Sequence, residues 1–131
     1  MIGEDTLDID GQVALVTGAG KGVGRAIALE LAKHNAGGIA VNDFDAERAE
    51  AVAEEIRAMG VKAMAAVFDV TDRDAVAAAF ATVAQELGPV TVLVNNAGNA
   101  GPTGQFGMDR MFWDEDPAEW SKFIGTNFFG V

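Results

Sequence analysis

The chain has no cysteine, no tyrosine, a single serine and a single histidine. Without cysteine, disulfides, thiol catalysis and Cys-ligated metals are excluded. The lone His34 stands beside glycines where a helix ends, so it reads as a helix-end contact, and no metal centre is expected. Positive charge is scarce too: nine Lys and Arg face twenty Asp and Glu, for a net charge of −11. A surface that acidic repels nucleic acid and anionic membrane at long range, although a small anion held by a local positive site is still allowed. Met1 to Gly11 carries acids and no basic side chain, the wrong chemistry for a secretion or transit signal. Apolar runs such as Ala63 to Phe68 are far too short to cross a bilayer. With 131 residues, half of them apolar and 22% charged, the expectation is one cytoplasmic globular domain.

What is present is an alternation of two periods. Gln12 to Thr17 is an apolar run that ends in glycines and reads as a buried strand. Val23, Ile27 and Leu31 then recur at helical spacing to about His34, and Asn35 to Gly38 stops that helix. Ile39 to Val41 is a second strand, and Asp45 is the N-cap of a helix with the stripe Ala49, Val52, Ala53, Ile56 and Met59, closed by Gly60. Lys62 to Phe68 is a third strand. Thr71 to Asp74 reads as a capping box, followed by the stripe Val76, Phe80, Val83 and Leu87. Gly88-Pro89 breaks that helix before a fourth strand, Thr91 to Val94. Four strand–helix alternations with short connections predict an α/β, Rossmann-like, doubly wound parallel sheet in three layers. Asn99 to Glu115 is a long glycine-bearing loop with the apolars Phe106, Met108, Met111, Phe112 and Trp113, the kind of loop that is functional or mobile. Asp116-Pro117 opens a last helix carrying Trp120, Phe123, Ile124, Phe128 and Phe129, expected to be core or subunit contact and still running at Val131.

The first strand runs into Thr17-Gly18-Ala-Gly20-Lys21-Gly22-Val23-Gly24. Glycines at a strand-to-helix turn let backbone approach a ligand, and the helix that follows aims its N–H groups and positive dipole end at the gap, which favours a pyrophosphate. A P-loop would need Ser or Thr after Lys21, and the spacing G-x-G-x-x-G fails at Val23; what fits is T-G-x-x-x-G-x-G. An ordinary glycine turn would satisfy the loop by itself. Asp43, at the end of the second strand, is placed to accept ribose hydroxyls and to repel a 2′-phosphate, since Asp45 already serves as the cap and leaves Asp43 spare. Lys21 argues the other way, because it could pair with such a phosphate. The balance points to NAD rather than NADP. Asp69-Val70 ends the third strand, where the Asp suits an adenine amino group or a plain Asx turn. Asn95-Asn96-Ala97-Gly98 ends the fourth. Every candidate lies at a strand's carboxyl end, where open α/β sheets bind ligands.

Taken in order, Thr17-Gly18-x-x-x-Gly22-x-Gly24, Asp43, Asp69-Val70, Asn95-Asn96-Ala97-Gly98, and Trp120 followed by Asn127 resemble the N-terminal half of a short-chain dehydrogenase/reductase. The resemblance implies that the glycine loop, with the main chain at Val23, holds the cofactor's pyrophosphate. It implies that Asp43 marks NAD preference and that Asp69 binds adenine. Asn96, Ala97 and Gly98 would line the nicotinamide side and brace the central strand. Asn127 matches a catalytic Asn that positions a water in a proton relay. The activity implied is hydride transfer between nicotinamide and an alcohol or carbonyl substrate, in a homodimer or homotetramer, with strand order 3-2-1-4 over residues 1–131.

The family's Ser, Tyr and Lys of catalysis have no counterpart here: Tyr is absent, and Ser121 and Lys122 precede Asn127 on the last helix. The expectation is a cofactor half that binds without turnover, with the apolar fourth strand as an open edge prone to association. The stretch Gly101 to Trp113 is longer than the family's pattern at that place. Two other classes stay open. An S-adenosylmethionine-dependent methyltransferase could use Gly18-Ala-Gly20-Lys-Gly22 as a G-x-G-x-G loop, yet it would want an acid near the end of the first strand, where Leu15-Val16-Thr17 stands. A catalytically silent nucleotide-binding subunit fits the missing Tyr.

Overall fold

The computed structural model describes residues 7–99, 112–114 and 116–131. Four parallel strands, β1 (Val13–Val16), β2 (Gly38–Asp43), β3 (Ala63–Val67) and β4 (Val90–Val94), form one sheet in the order β3-β2-β1-β4. Between them run α1 (Gly22–Lys33), α2 (Ala46–Ala58) and α3 (Arg73–Glu86), and α4 (Pro117–Ile124) follows β4. This is the expected doubly wound α/β arrangement in the expected strand order.

The period of two along the strands builds two cores. Val16, Ile39 and Val41 face α1 and α2, where they meet Ala28, Ala32, Val52 and Ile56. Val13, Leu15 and Ala40 face the other way, toward Val83 and partly buried Val76 and Phe80 on α3. Both faces of β1 and β2 are thus covered, which is why Val13–Val16 and residues 39–41 read as unbroken apolar runs.

Several boundaries and faces differ from the sequence-based expectation. Of the stripe Val23, Ile27, Leu31, Val23 is 70% exposed while Ile27 and Leu31 pack partly buried against the core; the fully enclosed residues of α1 are Gly24, Ala28 and Ala32. Small side chains on that face let the helix lie close to the sheet right after the glycine turn. The cap of α3 is Asp72, which accepts the N–H groups of Asp74 and Ala75, and not Thr71 in a capping box; Thr71 instead donates to Asp69 through both its N–H and its hydroxyl. α1 ends at Lys33 with His34 as its C-cap, and Asn35 just beyond is in a left-handed conformation (φ 62°). Asp116 caps α4 with Pro117 in the first turn, as expected. The α-helical part then gives way to a π-helical turn over Gly125–Phe129 and ends at Gly130, so the helix does not run on to Val131. None of the α4 residues is buried, and Trp120, Phe123, Ile124, Phe128 and Phe129 stand out from the core instead of filling it. The readings made on Phe106, Met108 and Met111, and most of the 99–115 loop, lie outside the described residues. No described helix is long and apolar enough to cross a membrane.

Candidate functional site

At the carboxyl ends of the four strands lies a cleft of about 510 Å³. One wall is the glycine loop, through Gly18, Lys21, Gly22, Val23 and Gly24. The end of β2 supplies Asn42, Asp43 and Phe44, and the end of β3 supplies Phe68, Asp69 and Val70. Asn96, Ala97, Gly98 and Asn99 follow β4, and Thr126 of the π-helical turn completes the rim. Eleven of the twelve cofactor contacts expected from sequence therefore share one surface; the twelfth, Thr17, does not line it.

The loop's glycines have distinct reasons. At Gly22 the backbone has φ +57° and a Cβ would meet nothing within 4 Å, so the chain there is bare and its conformation favours glycine. At Gly24 a Cβ would lie 2.4 Å from the Gly18 carbonyl oxygen and 2.5 Å from Asn96 Nδ2, so the first turn of α1 can close on the loop only without a side chain. Lys21 caps α1 with no side-chain hydrogen bond, and the opening N–H groups of a helix have no partners within it.

Thr17 is buried, and its hydroxyl is a fastener. It accepts the N–H groups of Asn96 at 3.0 Å and Ala97 at 2.9 Å and donates to the Val94 carbonyl at 3.3 Å. Asn96 answers by donating through Nδ2 to the carbonyls of Thr17 at 3.0 Å and Gly18 at 3.3 Å. The end of β4 and the glycine loop are thereby locked together.

Asp43 is not left spare. It is 4% exposed, and its two oxygens accept the N–H groups of Gly20 at 3.1 Å and Asp45 at 3.0 Å. A carboxylate this enclosed needs such donors, and Asp45, though it does cap α2 by accepting Arg48 N–H, does not relieve Asp43 of structural duty. Asp69 is exposed and spends Oδ1 on Thr71, the Asx-turn reading of that position. Asn127 sits in the π-helical turn, where its Oδ1 accepts Asn99 N–H and its Nδ2 donates to the Asn99 carbonyl, both at 2.9 Å. That paired contact fixes the chain just past Gly98.

Sequence reasoning missed Asn42, Phe44, Phe68, Asn99 and Thr126 as cleft residues. A polar residue inside the otherwise apolar second strand was the available signal for Asn42; nothing in the pattern singled out the two phenylalanines.

The decisive comparison is with the family model described as short chain dehydrogenase, which matches residues 12–131. The chain belongs to the short chain dehydrogenase family. Similar members of that family include a gluconate 5-dehydrogenase of Gluconobacter oxydans, 39% identical over 85% of this chain and 43% of the relative. A 3-oxoacyl-[acyl-carrier-protein] reductase FabG of Staphylococcus aureus is 43% identical over 90% of this chain and 45% of its own. Among solved structures, a 7α-hydroxysteroid dehydrogenase complexed with NADH and 7-oxo glycochenodeoxycholic acid superposes with a TM-score of 0.84 at 35% identity, over 99% of this chain and 48% of that one. A gluconate 5-dehydrogenase from Burkholderia cenocepacia in complex with NADP and tartrate gives 0.80 at 33% identity, over 96% and 46%. The chain spans about half the length of the short chain dehydrogenases it matches.

Proposed function

We propose that this chain is the cofactor-binding half of a cytoplasmic, NAD-dependent oxidoreductase that acts on a small alcohol or carbonyl substrate as a homodimer or homotetramer. The observation that carries the reading is the convergence on one cleft of a bare glycine turn, a helix start and two acids at successive strand ends. The cleft's volume falls within the range of about 300–1,000 Å³ usual for small-molecule and cofactor sites. The open space at Gly22 accommodates a group pressed against main chain.

In this reading the first N–H groups of α1, with Gly22, Val23 and Lys21, hold the pyrophosphate. Asp43 has its carboxylate at the same end of the cleft and retains acceptor capacity for ribose hydroxyls, since an ionised carboxylate accepts about four hydrogen bonds. A 2′-phosphate at that place would meet the carboxylate's charge, which favours NAD over NADP. Asp69 and Val70 border the adenine end. Asn96, Ala97 and Gly98 flank the nicotinamide end, and Asn127 keeps the segment after Gly98 in place beside the relay water that the family resemblance assigns to it. When bound, the nicotinamide supplies the hydride chemistry, and the protein supplies grip and orientation. The 131-residue chain alone binds cofactor without turning over substrate.

Calorimetric titration of the intact protein with NAD, NADP and S-adenosylmethionine tests this. The expected result is saturable NAD binding, weaker NADP binding and none with S-adenosylmethionine. The reverse order of the first two overturns the NAD assignment, and binding of the third alone overturns the family's chemistry for this site.

A further inference from the structure

Among the described polar side chains of the core, Asn42 is the most enclosed, at 1% exposure against 4% for Asp43 and 5% for Thr17. A carboxamide taken so far from water costs folding energy unless every polar atom is matched. Here every one is. Nδ2 donates to the carbonyls of Ala66 at 2.9 Å and Phe68 at 3.0 Å, at the end of β3 and just past it. Oδ1 accepts the N–H of Gly18 at 3.2 Å.

The main chain of Asn42 and the next side chain extend the same grip. The Ala19 N–H donates to the Asn42 carbonyl at 2.6 Å, and the Gly20 N–H donates to Asp43 Oδ2. Three consecutive loop N–H groups therefore end on two consecutive residues of β2. The fit is close: a Cβ on Gly20 would stand 2.5 Å from Asp43 Oδ2. From the opposite flank Asn96 holds the carbonyls of Thr17 and Gly18. Residues 17–20 are thus tied down from one flank or the other, Gly18 from both, and the loop N–H groups beyond this grip begin at Lys21.

None of this is required to build the sheet. β2 and β3 pair through main chain with Asn42 opposite Ala66, and the neighbouring inward residues on that face, Ala40 and Phe68, are apolar. What the carboxamide adds is a single link between Gly18, at the pyrophosphate end of the cleft, and Phe68, which lines its other wall.

We infer that Asn42 is a positioning residue for dinucleotide binding, holding the glycine loop and the end of β3 in the relative placement that the cofactor needs. The inference rests on the dinucleotide reading above.

The test replaces Asn42 in the intact protein, as Asn42→Ala and as the milder Asn42→Ser, and titrates each with NAD by calorimetry, with amide hydrogen exchange read alongside. The expected result is a Kd raised about tenfold, the weight of one lost buried hydrogen-bond partner. Binding stoichiometry stays unchanged, and exchange speeds up at Gly18 but not at Leu15 or Ile39. Should Asn42→Ala not fold, Asn42→Ser is read by the same measures. A wild-type Kd in the variants overturns the inference. So does a reduced stoichiometry at wild-type Kd, or exchange that accelerates equally at all three amides, since either makes Asn42 a packing residue only. If the unsubstituted protein takes up no NAD, the dinucleotide reading falls and this inference with it; NAD binding by the parent with unaltered variants removes the inference alone.

Discussion

At the scale of single residues, the inner wall of the cleft includes positions where a side chain has no room or is already engaged. Gly24 is the clearest case, because a methyl group there would collide with the Gly18 carbonyl, the Asn96 carboxamide and the Ala19 main chain at once. Two of those three are backbone and cannot swing aside. Gly24→Ala is therefore expected to destabilise the fold by about 1–3 kcal/mol, the usual range for overpacking, and, on the reading proposed above, to weaken NAD binding. Gly22→Ala meets no atom and carries only the strain of a positive φ, about 1–2 kcal/mol. Thermal melts of the two variants check the order: the same loss at both positions would mean that the loop relaxes away from α1. The glycine spacing was legible from sequence because a strand-to-helix turn with close approaches and positive φ selects for glycine. The hydrogen bonds of Asp43 and Asn42 were not. Their partners are main-chain N–H and carbonyl groups, which do not depend on residue type and so leave no mark on the pattern.

At the scale of elements, α1 and α2 are tied by Arg25 and Glu55, a side-on pair in which Arg25 Nε donates to Glu55 Oε1 at 3.0 Å and Nη2 pairs with Oε2. Arg25 directly follows Gly24, so the pair anchors the first turn of the helix that borders the cleft. The hydrogen bond from the guanidinium holds the Glu55 carboxyl below its ordinary range. A value depressed in the folded state gives stability that is present at neutral pH and lost as pH falls through the folded value. Glu55→Gln is accordingly expected to flatten the acid limb of stability against pH while leaving the neutral-to-basic limb with its original slope. Denaturant melts from pH 3 to pH 8 read this directly, and an unchanged acid limb would assign it to other carboxylates. Because both side chains are well solvated, the effect is small. Element types and order could be read from periodicity, but the innermost row of α1 could not. Hydrophobic patterning weights Val23, Ile27 and Leu31 above Gly24, Ala28 and Ala32, whereas a helix pressed onto a sheet beside a ligand turn selects for smallness. The cap of α3 was misplaced by one residue for a related reason: Thr71 and Asp72 are both good caps, and Asp69 claims Thr71 first.

At the scale of the whole molecule, β4 pairs with β1 on one side and with no described strand on the other. Its Leu93 is 49% exposed, and beside it an apolar hollow of about 420 Å³ runs between Val76 and Phe80 of α3 and Phe129 near the chain's end. Unpaired strand edges of this kind template association. The 131-residue chain by itself is expected to self-associate in sedimentation experiments, and Leu93→Lys to shift it toward monomer; a monodisperse monomer with a sharp melt would show that the edge is harmless. The strand order also has a mechanical corollary. β1 lies between β2 and β4, and the carboxamides at the tips of those two neighbours clasp the same turn from either hand. Any strand that came to rest along β4 would restrain one jaw of that vice, so the state of the sheet's edge and the hold on the turn are mechanically linked.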